Sequence, residues 1–207
     1  MTLKQQVIRI LRGPTATRIR FTFPSGGRTI AISPGTFNYV ARALRDGRAA
    51  VSPPAAMVPG AAAQYTGFSG GSVPANTMEV PRIVGRIEEG HILHESLHCA
   101  YDLLGTNITA VDDEASCYVV SALAFLMTGV RPHRWGNEPF ASAGRIARDL
   151  LAQYQRGDPG AHAVDATNWQ LLRAVLMTHP LYMFPWSASN NWTLGPVSTG
   201  GSYTHDG

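Results

Sequence analysis

The chain has 207 residues, 44% of them hydrophobic and 15% charged, with a net charge of +3; that length supports one sizeable core and is short for two independent domains. Cys99 and Cys117 are its only cysteines, which excludes a disulfide-rich scaffold and an all-cysteine metal site and leaves two free, buried thiols as the expectation. No window reaches the roughly 18 consecutive apolar residues of a membrane-spanning helix, and Met1 to Arg20 lacks a signal peptide's apolar stretch. The expected location is therefore the cytoplasm of the producing cell, with any export by a specialised route.

Residues 1–48 carry nine Lys or Arg against one Asp, a balance of +8, and the rest of the chain sums to −5. Such a basic front is expected to be a solvated surface, with docking of an acidic partner or an anionic membrane as the alternative. Nucleic acid is not expected, because no aromatic-interleaved RNA motif, zinc-finger spacing or recognition helix accompanies the charge. Thr17 to Phe23 alternates polar with branched or aromatic residues, Pro24 to Gly27 is a turn, and Arg28 to Ile32 alternates again, which predicts a β-hairpin. Pro34 opens a helical run through Phe37, Val40, Ala41 and Leu44 that Gly47 ends. Ala49 to Met78 holds no charged residue and is read as loop with one or two weak strands. An uncharged wall of this kind also suits an extended peptide bound through its main chain.

Pro81 is read as the first residue of a long helix ending at Gly105, and a second, largely buried helix is expected from Asp112 to Gly129. Further helices are expected over Phe140 to Tyr154 and Ala166 to Thr178, and beyond Pro180 the periodicity is lost. One domain over 1–184 and an irregular tail over 185–207 follow.

The first long helix contains His94-Glu95-Ser96-Leu97-His98, an HExxH pattern. Residues four apart stack on one helix face, so both imidazoles reach the same point and Glu95 stands about a quarter turn away. This division suits hydrolysis: zinc acidifies water and polarises an amide carbonyl, while a carboxylate beside the ligands takes and returns the proton. A catalytic zinc needs a third protein ligand. Candidates are Asp112, Asp113, Glu114 and the later His133, His162, His179 and His205. Glu114 is the best placed, because the short connection after Gly105 turns the second helix back on the first. Asp112 suits the helix N-cap, where replacement by Asn costs little, and Asp102, one turn past His98, suits a supporting role. His91, near the face of His94, is read as solvated, with substrate contact as the alternative.

HESLHCAYDLLG followed by DDEASCYVVSALAFL resembles the gluzincin-type zinc metallopeptidases, most of all their minimal versions among bacterial secreted effectors and polymorphic toxins. The resemblance covers roughly Ile83 to Gly129. It implies an α+β, zincin-like fold: a small N-terminal antiparallel sheet with one helix, then a helical half carrying the HExxH helix. It also implies a Zn²⁺ enzyme that hydrolyses protein or peptide substrates, with His94, His98 and Glu114 on the metal and Glu95 as general base. Many such enzymes carry an acid four residues after the third ligand to support a histidine, but Tyr118 stands there, so Asp102 or Asp113 would substitute. Tyr182, His179 and Tyr101 are candidates to stabilise the oxyanion. Two rival expectations are a non-catalytic zincin-like binding module and a zinc amidase or deacylase acting on a non-protein amide.

Overall fold

Gly26 and Gly27 both take positive φ, 55° and 77°, and so form a two-residue turn whose twist suits a hairpin. In the computed structural model this turn joins β1 (Phe21–Ser25) to β2 (Arg28–Ile32), paired antiparallel from Phe21 opposite Ile32 to Ser25 opposite Arg28. The structure describes residues 1–55, 62–67, 73–82, 84–131, 135–157 and 162–179, with the backbone of 196–197 and 204–206. The hairpin is where it was expected, but shifted: Ala16–Arg18 is a 3-10 turn, and Pro24 and Ser25 belong to the strand.

Before the hairpin lies a helix that the alternation of basic and apolar residues hid, α1 (Leu3–Leu11). Thr2 and Gln5 close a reciprocal capping box at its start, and Val7 and Leu11, four apart, are its buried stripe. α2 (Pro34–Arg45) begins with Pro34 in its first turn. The uncharged stretch supplies three short strands, β3 (Ala50–Ser52), β4 (Gln64–Thr66) and β5 (Thr77–Glu79).

α3 (Arg86–Leu104) and α4 (Ala110–Thr128) are the two central helices. α3 starts five residues later than Pro81. Its N-cap is Gly85, whose N–H donates to the Glu88 carboxylate at 2.8 Å, and Glu88 with Glu89 places acids on the positive end of the helix dipole. Gly105 and Gly129 end the two helices in the left-handed conformation, φ 61° and 69°. β6 (Ile108–Thr109) fills the connection between them. α5 (Phe140–Gln155), β7 (His162–Ala163) and α6 (Ala166–Thr178) follow. The expected irregular tail contributes two described strands, β8 (Pro196–Val197) and β9 (Thr204–Asp206).

Three small sheets result, ordered β2-β1-β7, β3-β5-β4-β9 and β6-β8. β1–β7 and β3–β5 pair parallel, and the other pairs are antiparallel. The class is α+β, with mixed sheets where purely antiparallel ones were expected. α4 packs on α3 along most of its length, β4 and β5 lie on α3, and α5 and α6 cover α4. Trp169 of α6 is fully buried with its ring 4.7 Å from that of Phe23, tying the last helix to the hairpin. Among the described residues no helix is long and apolar enough to cross a membrane.

Candidate metal centre

α3 and α4 approach closely because Gly90 has no side chain: a Cβ there would run into the Phe125 ring. This contact sets the depth at which the next turn of α3, carrying His94, faces α4. His94, Glu95 and His98 are all buried, and so are Asp112, Asp113, Glu114 and Cys117 of α4. So many titratable side chains inside one helix pair are costly unless they neutralise one another or a bound ion.

The two imidazoles are oriented from behind. His98 Nδ1 donates to Asp113 Oδ1 at 2.7 Å. Ser121 donates its hydroxyl to the Gly90 carbonyl at 3.2 Å and receives His94 Nδ1 at 3.3 Å. Each ring therefore carries its proton on Nδ1 and turns Nε2 forward. There Glu114 meets both: His94 Nε2 lies 3.7 Å from Oε2 and His98 Nε2 3.7 Å from Oε1. These separations exceed a hydrogen bond. They are close to the roughly 3.3 Å between neighbouring ligands of a tetrahedral zinc with bonds near 2.0–2.1 Å.

Cys117, which residue spacing did not single out, belongs to the same cluster. His94, His98 and Cys117 offer ligand atoms within 4.8 Å of one another, a group that can hold a metal ion. Cys117 reaches His98 from the Nδ1 side, with Sγ 3.5 Å from Nδ1 and its S–H donating to Asp113 Oδ1 at 3.6 Å. Burial pushes this thiol well above its ordinary range against the pull of His98. Burial likewise opposes a charge on His98, but the Asp113 and Glu114 carboxylates outweigh it and hold the imidazole well above its usual range.

No model of a protein family, no curated protein and no solved structure matches the chain. The geometry of its own residues is what bears on function.

The remaining candidates separate cleanly. Asp102 faces the short strand β4. Its carboxylate lies against Gly67 and the Tyr65 hydroxyl, which its charge, after burial, helps push above the usual range. Tyr118 stacks edge-on against His94, ring centroids 5.2 Å apart, and takes the place of an acid with an apolar contact. His91 is buried, not solvated: its ring packs on Phe125 and Phe140, and burial pushes its pKa down to about 4, so it is neutral at physiological pH. The Tyr101 hydroxyl is buried and bonded to Ser116 at 2.9 Å. His162 is buried in β7 beside the Tyr154 ring, and His179 is the C-cap of α6; neither belongs to the metal-holding cluster. Tyr182 and His133 lie outside the described residues, as does the side chain of His205.

Asp112 departs from its expected N-cap role. The N-cap of α4 is Thr109, whose hydroxyl accepts from Asp112 N–H at 3.3 Å. The Asp112 carboxylate is buried, 2.8 Å from Arg173 Nε of α6. Asp112→Asn is accordingly expected to lower stability by about 2 kcal/mol, since it strands a half-buried guanidinium, while metal content stays native. Urea unfolding together with metal analysis of the variant checks both halves.

Proposed function

We propose that the protein is a zinc-dependent metallopeptidase of gluzincin type, with His94, His98 and Glu114 as metal ligands and Glu95 as general base. The observation that carries this reading is the convergence of two forward-turned Nε2 atoms on one buried carboxylate at equal 3.7 Å separations. Two imidazoles and a carboxylate are a donor set suited to zinc, and three protein ligands leave a coordination position for chemistry. When bound, the ion supplies an electrophile for an amide carbonyl and acidifies the attacking water. Asp113 and Ser121 hold the imidazoles in the ligating tautomer. Glu95 follows His94 on α3, off the ligand face by about 100°, where it can take a proton without occupying the metal.

Purified in zinc-containing medium, the protein is expected to hold about one zinc per chain and to cleave an unfolded protein such as reduced casein. Chelation should abolish cleavage and lower the unfolding midpoint, and added zinc should restore both, because an ion bound only by the native state stabilises it by mass action. A zinc content near zero, or cleavage indifferent to chelator, would sink the proposal.

A second reading has its own support in Cys117. A buried His94–His98–Cys117 set with Glu114 as neighbour describes a closed, structural metal site in a zincin-like binding module. That reading expects zinc without turnover.

A further inference from the structure

A cavity of about 800 Å³ lies between α1, the 3-10 turn, the start of α3 and the end of α4. It shares no residue with the histidine cluster: Arg86 on its wall precedes His94 by eight residues, about 12 Å along the helix. Ile10, Val84 and Met127 give the cavity an apolar part. Its charge comes from Arg9, Arg18, Arg82 and Arg86 against one acid, Glu89.

Arg86 has a structural task, since its Nη1 donates to the Thr128 carbonyl at 3.3 Å and closes the C-terminal end of α4. Arg9, Arg18 and Arg82 have no such task. All three are exposed, and among the described residues none of their side chains enters a hydrogen bond or an ion pair. Guanidinium groups gathered round one concavity repel one another, and the low-dielectric walls focus their field. An anion seated among them would meet several guanidinium groups at once.

The volume falls within the roughly 300–1,000 Å³ of small-molecule sites. Guanidinium forks match phosphoryl oxygens two at a time, and they stack on flat groups. We infer that this cavity binds a small organic polyphosphate, with phosphoryl groups on Arg9, Arg18 and Arg82 and its organic body over Ile10, Val84 and Met127.

The test is calorimetric titration of the intact chain with ATP as the probe, beside tripolyphosphate and hexaglutamate. ATP should bind more tightly than tripolyphosphate, because only ATP has a body for the apolar part, and both should exceed hexaglutamate. Arg9→Gln/Arg82→Gln should weaken ATP by about 100-fold, at about tenfold for each lost charge-assisted contact. Arg42→Gln/Arg45→Gln, the same charge loss on exposed positions of α2 outside the cavity, should leave ATP binding unchanged. Heat from ATP stripping metal would persist in the Arg9/Arg82 variant and so would not imitate the expected result. The inference is overturned if no probe binds at about millimolar concentration, or if the α2 pair weakens ATP as much as the cavity pair. It is overturned equally if tripolyphosphate matches ATP, or if hexaglutamate binds best, which would make the occupant an acidic peptide.

Discussion

Glu95→Gln is expected to reduce cleavage of an unfolded protein by about 10²–10⁴-fold, the usual worth of a positioned acid–base group, while zinc content and unfolding midpoint stay native. The substitution keeps the size of the side chain and removes only its capacity to accept a proton. Glu95 is buried on α3 between the two histidines in sequence, yet it points about 100° away from the face they share. The imidazoles keep their partners Asp113 and Ser121 in the variant. Zinc and fold should therefore survive when turnover does not. Glu95→Gln with native activity would move the base elsewhere, and Glu95→Gln without zinc would make Glu95 a ligand. The structural-site reading expects no turnover from either protein, so the comparison with wild type separates enzyme from binding module.

What could be read from the chain beforehand was whatever local chemistry dictates. The bounds of α6, the ends of α3 and α4 at Gly105 and Gly129, and the start of α2 at Pro34 depend on capping and on backbone conformations that few residues adopt. The identity of HExxH and its placement on one helix face depend only on the 3.6-residue period. What stayed hidden depends on contacts distant in sequence. Asp102 and Asp113 looked equally able to support a histidine, and only the crossing of α3 with α4 sends Asp113 to His98 and Asp102 to Tyr65. Ser121 and Cys117 carry no pattern of their own. They follow Asp113 at intervals of four on α4, so the i, i+4 rule applied from Asp113 would have flagged both as neighbours of the histidines. Nothing local marks His91 as buried; Phe125 and Phe140, distant in sequence, pack against its ring. α1 was missed because its buried stripe is only Val7 and Leu11 among basic residues.

Glu114→Ala is expected to lower zinc affinity by well over 100-fold, Asp113→Asn by about 10 to 100-fold, and Cys117→Ser by little. The order rests on which side of His98 the ion sits. A metal on Nε2 finds Glu114 facing it and leaves Asp113 on Nδ1. Losing Glu114 then removes a ligand, whereas losing the Asp113 charge only loosens the imidazole that it orients, at the cost typical of such supports. A metal on Nδ1 would displace Asp113 from its 2.7 Å hydrogen bond and require Cys117 as thiolate, although burial holds that thiol protonated. Chelator competition measures all three affinities, and thermal unfolding of the metal-loaded proteins excludes misfolding as the cause. If Cys117→Ser loses zinc while Glu114→Ala keeps it, the ligand set is His94, His98 and Cys117, and the gluzincin-type proposal fails. Glu114→Ala should also lose cleavage activity, and Cys117→Ser should retain it, since the thiol bonds Asp113 and the rear of His98 and, in the proposed arrangement, is not a ligand.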